Sequence, residues 1–326
     1  MSDPIRFAVV GAGIMGTNHV RVARQLPGVE LVAVVDHDIE RARAAARAGG
    51  ERACDTVAEL FGAVDAAVIA VPTAFHLDAA LALAEHGVHL LVEKPLAPSV
   101  EDAQRIVDAA AANGIVLAVG HIERFNAAVA ELPRLLHDPI HIEASRISPY
   151  SPRVADGVIF DLMIHDIDIV CSLAGPDAVA TKVTGVARTT KGGTEDLASV
   201  TVEFSTGLTA TFNTSRLGQQ KIRTIEITQA DSVVIADLVR QDVTIHRMNH
   251  SEYLSDEGTR YRQASVIEIP FLETRGEPLA LELSHFVDCI RTGQAPRVDG
   301  AAGIRAIELA QRATDAVRVA ATADLR

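Results

Sequence analysis

Tryptophan is absent from the 326 residues, cysteine occurs three times, and aromatic residues make up only 4% of the chain. Cys54, Cys171 and Cys289 lie far apart with no CxxC spacing. That pattern excludes a disulfide framework and a structural zinc site, and it fits a reducing compartment. Basic residues are the minority charge: thirty Lys and Arg stand against forty-three Asp and Glu, for a net charge of −13. Nucleic acids and anionic membranes need a basic field, so both are set aside as partners. An anionic small molecule stays compatible, because a few arginines can oppose the global sign locally. Long hydrophobic runs are missing as well. The first apolar run, Phe7 to Val10, is too short for a signal peptide or a membrane span, and the expected location is the cytoplasm. Low-complexity tracts and fixed-period repeats are also lacking.

What is present is ample core-forming material. Hydrophobic residues make up 48% of the chain and charged ones 22%, enough for two ordinary domains. Through residue 120, short apolar runs at 6–10, 30–35, 66–71, 89–92 and 116–119, with a weaker one at 52–54, alternate with helical stretches rich in alanine. Apolar strands separated by helices predict a doubly wound parallel sheet buried on both faces, hence an α/β Rossmann domain over 1–120. Beyond Gly120 the alternation stops. Strands are expected at 140–147, 180–187, 197–205, 208–216, 222–228 and 232–238, several joined by tight turns such as Ser205-Thr206-Gly207. A helix is expected over 157–173, and two more over 278–291 and 303–320. These predict an α+β domain over 121–326 with an open, mostly antiparallel sheet. In such a pair of domains the active site is expected in the cleft between them. An open sheet face also needs a cover, so a homo-oligomer is expected.

Gly11-Ala-Gly13-Ile14-Met15-Gly16 joins the first strand to the first helix, and Asp36 closes the second strand. A GxGxxG alone is weak, but this context is that of a dinucleotide loop. Gly11 allows the tight turn, Gly13 lets a pyrophosphate approach the backbone, and Gly16 lets helix and strand pack closely. Asp36 can accept hydrogen bonds from ribose hydroxyls, and its charge repels a 2′-phosphate, which favours NAD over NADP.

Ligands of open α/β sheets bind beyond the carboxyl ends of the strands. Pro72-Thr73, Glu93-Lys94-Pro95 and Gly120-His121 occupy those ends. A lysine at position 94 can stabilise developing alkoxide charge, although its position alone fits a surface lysine equally well. Pro95 is a candidate for a cis peptide bond. On the helix expected at 157–173, Asp161, His165 and Asp168 fall at i, i+4 and i+7, beside an apolar stripe of Phe160, Ile164, Ile167 and Cys171. A polar stripe next to a buried one belongs at a cleft rim, and histidine suits proton transfer near neutral pH. The same pattern fits a solvated face with one helix ion pair. His76 and His121 fit packing or hydrogen bonding better than a general base. Two ligands on one helix are too few for a metal site, so no metal is expected, and no GxSxG elbow marks a nucleophile.

Taken together, the glycine loop, Ala70-Val-Pro72-Thr73-Ala-Phe-His76, Val92-Glu93-Lys94-Pro95-Leu96, Asp161-x-x-x-His165 and the segment from Glu282 to Gly293 resemble the Gfo/Idh/MocA oxidoreductases over essentially the whole chain. The EKP and DxxxH pair in this order is specific, whereas the glycine loop is not. The resemblance implies a Rossmann domain plus an open antiparallel sheet, and an NAD-dependent transfer of hydride to or from a hydroxyl carbon of a sugar-like substrate. It implies a catalytic trio of Lys94, Asp161 and His165. It also adds Ile14, Met15, Pro72, Thr73, His76, Glu93 and Lys94 to Gly11, Gly13, Gly16 and Asp36 around the cofactor. Residues 120–126 and 152–168 resemble a branch acting on nucleotide sugars, the UDP-N-acetylglucosamine 3-dehydrogenases. That likeness implies Arg124, Phe125, Asn126 and Arg153 as substrate contacts beside Asp161 and His165. The branch commonly has proline after the asparagine, where this chain has Ala127. Arg146 and Arg216 join Arg124 and Arg153 as candidates to neutralise a diphosphate. The alternatives are a free polyol such as an inositol, the same chemistry run as a ketosugar reductase, and a dinucleotide-binding sensor or scaffold without catalysis.

Overall fold

A computed structural model describes residues 3–151, 156–191, 193–255 and 258–323. The chain forms two compact units, Met1–Phe125 with Gly276–Glu308, and Asn126–Arg275 with Leu309–Arg326.

The first unit runs β1 (Ile5–Val10), α1 (Ile14–Ala23), β2 (Val29–Val35), α2 (Ile39–Ala46), β3 (Arg52–Cys54), β4 (Ala66–Ile69), α3 (His76–Ala84), β5 (His89–Glu93), α4 (Val100–Ala112) and β6 (Leu117–Gly120). All strand pairs are parallel, in the order β3-β2-β1-β4-β5-β6. That order reverses between β1 and β4, and an open sheet binds its ligand at such a switch point. The central strands are apolar because helices cover both faces: Phe7, Val9, Val68, Leu90 and Leu91 are fully buried. Local chemistry sets the helix ends. Asp38 caps α2 by accepting from Glu40 N, and Ser99 caps α4 by accepting from Asp102 N.

The second unit begins with α5 (Ala127–Leu135), β7 (His141–Ile147) and α6 (Ile164–Ala174), which is entered through a π-helical turn, Ile159–Met163. It continues through β8 (Ala180–Arg188), β9 (Leu197–Phe204), β10 (Thr209–Ser215), β11 (Ile222–Thr228), β12 (Ser232–Asp237), β13 (Asp242–Ser255) and β14 (Gly258–Glu268). The eight strands lie in the order β14-β13-β12-β11-β7-β10-β9-β8. Every pair is antiparallel except β7 with β10. Alternation decides which face is inside: Ile142, Ala144, Val200, Val202, Ile225 and Ile227 are buried, while Val186, Ile222 and Ile267 stand exposed on the other face. The β9–β10 turn is the expected tight one, with Gly207 at φ 88°.

Two features depart from the sequence reading. The long hairpin of β13 and β14 was not anticipated, because its sequence shows no sustained alternation of apolar and polar residues. Residues 276–308, grouped by sequence with the second domain, belong to the first unit. The reason is the apolar stripe of α7 (Pro278–Thr292): Leu279, Leu283, Phe286 and Val287 share one core with Phe7, Val9 and Val20. The final helix, α8 (Gly300–Ala323), follows.

Candidate functional site

In the first unit a cavity of about 820 Å³ opens at the carboxyl ends of β1, β2 and β4, lined by Gly11, Gly13, Met15, Asp36, Pro72 and Phe75 among others. Backbone geometry builds it. Gly11 has φ 101°, and a Cβ there would meet the Ala70 carbonyl oxygen at 2.6 Å. A Cβ on Gly16 would lie 1.7 Å from the Gly11 oxygen, so helix and loop touch only because both residues are glycine. Gly13 differs: nothing stands within 4 Å of its would-be Cβ, and no side chain caps the N-terminus of α1 that it precedes. The first N–H groups of that helix are therefore available to an anion in the cleft. These features fit the pyrophosphate of a dinucleotide.

Asp36 ties this loop to the second strand. One carboxylate oxygen accepts from Ala12 N at 2.8 Å, and the other from Asp38 N at 3.0 Å. Two backbone donors hold this carboxylate in place. Ile14 stands exposed at the start of α1, and Thr73 opens the short turn that leads into α3. His76 is buried, with its ring nitrogens 2.9 Å from the Val71 oxygen and 3.0 Å from the Pro95 oxygen. Burial lowers its pKa, and a neutral imidazole donates to one carbonyl at a time. It braces the loop around the Lys94–Pro95 peptide, which is cis.

At the end of β5 the buried Glu93 accepts from His19 Nε2 at 2.8 Å and from the Lys94 backbone N–H at 3.2 Å. Sequence reasoning missed His19. The signal was available, because His19 sits three residues past Gly16 on the face of α1 that also buries Val20 and Ala23.

Further along the same unit, Phe125 is buried against His285, ring centroids 5.5 Å apart, and beneath the Arg297 guanidinium at 5.0 Å. Arg297 also donates to the Arg124 carbonyl oxygen at 3.1 Å.

In the second unit Asp161 and His165 are half-buried. The expected regular helix is corrected: Asp161 lies in the π-helical turn and His165 in the first turn of α6, so the pair does not keep plain α-helical spacing. π-turns inside helices often mark functional positions. Asp168, expected on the same rim, is instead 2% exposed.

Two buried ion pairs hold this segment. Arg146 on β7 reaches Asp166, the residue after His165, at 2.7 and 3.0 Å, and the two are 1% and 2% exposed. Arg216 pairs with Asp196 at 3.0 Å and donates to the carbonyls of Asp156 and Glu195 at 2.7 and 2.9 Å. Glu195 in turn accepts from Val158 N and Ile159 N at the mouth of the π-turn. Arg146 and Arg216 are thereby corrected: buried and paired, neither is available to a diphosphate. Asn126 caps α5 through Ala128 N at 3.1 Å and donates to the Leu238 oxygen at 2.8 Å. Arg153 lies outside the described residues. Among the described residues, no three His, Cys, Asp or Glu side chains are grouped to hold a metal ion, and no helix is long and apolar enough to cross a membrane.

Comparison with known proteins agrees with this architecture. Residues 5–121 match the oxidoreductase family described as an NAD-binding Rossmann fold, and residues 149–324 match its C-terminal alpha/beta domain. The chain belongs to the Gfo/Idh/MocA oxidoreductase family. It is 30% identical to UDP-N-acetylglucosamine 3-dehydrogenase of Acidithiobacillus ferrooxidans over 99% of both chains. It is also 30% identical to scyllo-inositol 2-dehydrogenase (NAD(+)) of Bacillus subtilis, over 98% of this chain and 95% of that one. A solved structure of the Acidithiobacillus enzyme superposes with a TM-score of 0.87, covering 98% of this chain and 99% of that one at 29% identity. The protein is an oxidoreductase with an NAD-binding Rossmann domain.

Proposed function

We propose that this oxidoreductase uses NAD to oxidise a secondary hydroxyl of a nucleotide-activated amino sugar, at C3 of a substrate such as UDP-N-acetylglucosamine, or runs the reverse reduction. The observation that carries this reading is an intact dinucleotide cleft, with Asp36 in place, in a chain that resembles the Acidithiobacillus enzyme from end to end. Bound NAD supplies the hydride acceptor. His165 takes the hydroxyl proton as general base, which near neutral pH requires its neutral imidazole. Lys94 stabilises the developing alkoxide with its ammonium charge, and Asp161 orients the substrate by accepting a hydroxyl hydrogen bond. Glycine-loop residues, Pro72, Thr73, His76 and Glu93 line or brace the cofactor side. NAD is preferred over NADP, because the fixed charge of Asp36 repels a 2′-phosphate. The enzyme works in the cytoplasm as a homodimer or homotetramer that covers the exposed sheet face.

A second reading is a dehydrogenase of free polyols. It is favoured by the equal identity to the Bacillus inositol enzyme and by the engagement of Arg146 and Arg216 in buried pairs, which removes two candidate diphosphate ligands. Absorbance of reduced nicotinamide, followed with NAD and a panel of nucleotide sugars and inositols, decides between them. Turnover with UDP-N-acetylglucosamine and none with inositols is the expected result, with NADP at least about ten-fold less effective. Turnover confined to inositols would replace the first reading with the second.

A further inference from the structure

With Arg146 and Arg216 buried in ion pairs, the diphosphate of a nucleotide sugar needs other cations, and the first unit holds one that sequence reasoning missed. Arg297 lies in the loop 293–299 between α7 and α8. Arg6, Arg21 and Arg24 of the same unit each pair with a carboxylate, whereas among the described residues no carboxylate pairs with Arg297. Arg297 is nevertheless held in place. Its backbone N–H donates to His285 Nε2 at 2.8 Å, and its Nη1 donates to the Arg124 carbonyl oxygen at 3.1 Å. Its guanidinium also lies 5.0 Å from the centroid of the Phe125 ring. The carbonyl takes one N–H of the guanidinium fork, and Arg297 remains exposed, so the other donors are left for a ligand.

Its place in the fold is that of a ligand contact. Gly120 at the end of β6 lies beside Glu93 at the end of β5, and the turn Ile122–Phe125 starts directly beyond β6. Ligands of an open parallel sheet bind beyond these carboxyl ends. Arg297 is fastened to that turn, one strand over from the end that carries Lys94. Arg124 on the turn adds a second positive charge: partial burial, and then the like charge of Arg124, lower the pKa of Arg297 without discharging it. Of the acids nearest in sequence, Asp299 accepts from Ala302 N at 2.9 Å and Glu123 is buried. A guanidinium fixed in place, without an acid partner and beside a second arginine, is preorganised for an oxyanion, and its planar fork matches a phosphate.

We propose that Arg297, with Arg124 beside it, forms a binding site for the diphosphate of the substrate, beyond the carboxyl end of β6 and one strand from Lys94. The nature of the anion rests on the nucleotide-sugar reading above; the site itself rests on the geometry. The test titrates UDP and, separately, inorganic pyrophosphate into the full-length protein by calorimetry, in saturating NADH so that the glycine-loop cleft is occupied. Wild type is compared with R297Q and with R291Q, which removes the same charge from an α7 residue that donates to the Gly28 oxygen. R297Q is expected to weaken both ligands by about ten-fold or more, and R291Q by less than about two-fold. Unchanged binding in R297Q, an equal loss in R291Q, or no binding of either ligand to wild type overturns the proposal.

A second measurement covers the case in which R297Q folds poorly, because it uses the wild type alone. Labelling of Arg297 by phenylglyoxal, followed by peptide mass mapping, should slow by about three-fold or more in saturating UDP and stay unchanged in saturating uridine, which lacks phosphate. Labelling of Arg297 that UDP does not slow overturns the proposal. Neither arm needs turnover. UDP bound through Arg297 with no turnover of any nucleotide sugar counts against the proposed function and leaves this site standing. Turnover of UDP-N-acetylglucosamine with a wild-type KM in R297Q does the reverse: it overturns the site and leaves the proposed function standing.

Discussion

The two units place their candidate site residues by opposite means. In the first, backbone does the placing: Gly11 and Gly16 bring loop, strand and helix into contact that any Cβ would block, and the open side of Gly13 leaves helix N–H groups facing the cleft. In the second, side chains do it. Asp161 and His165 ride on a segment fastened by Arg146–Asp166 at one point and by Arg216, Asp196 and Glu195 at another. A backbone site is compact in sequence and tolerates almost no substitution. A site fastened by ion pairs draws on strands and loops far apart in the chain, and its cost is desolvated charge.

The sharpest way to break this comparison is to remove one partner of a buried pair. Asp166→Ala strands the Arg146 guanidinium in the interior and is expected to cost about 3–5 kcal/mol by urea unfolding. The double variant Arg146→Met with Asp166→Leu should recover most of that stability, since it leaves no unpaired charge. A cost below about 1 kcal/mol for Asp166→Ala would mean that the pair does not anchor the segment.

Two glycine variants sharpen the other half. Gly16→Ala forces a Cβ into the Gly11 carbonyl oxygen, so both melting temperature and NADH affinity should fall, the affinity by about a hundred-fold. Gly13→Ala meets no protein atom, so the melting temperature should hold while the methyl group blocks the ligand's approach and weakens NADH binding by about ten-fold. Equal damage to melting in both variants would erase the distinction between a packing glycine and an approach glycine.

How much was legible in the sequence follows the same division. The Rossmann alternation, the glycine loop and Asp36 are local patterns, and their geometry matches their spacing. The second sheet was legible where apolar and polar residues alternate in the sequence, as in β7 or β10, and illegible in β13 and β14, whose sequence shows no sustained alternation. Asp161 and His165 could be found as a spacing on a helix, but the π-turn could not, because i→i+5 pairing has no residue signature. Arg146 and Arg216 looked like diphosphate ligands, since a sequence does not say which arginine has a buried aspartate waiting for it. His19 was visible only as a polar residue on an otherwise apolar helix face, a signal that gains meaning once its ring nitrogen is seen 2.8 Å from Glu93.

The central claim is that His165 is the general base of a sugar dehydrogenase whose cofactor is held independently by the glycine-loop unit. His165→Ala tests it most directly, with turnover at saturating NAD and NADH affinity by fluorescence measured on the same preparation. Turnover reduced by about a hundred-fold or more, with NADH affinity within about two-fold of wild type, is the expected result. Wild-type turnover in that variant would contradict the account.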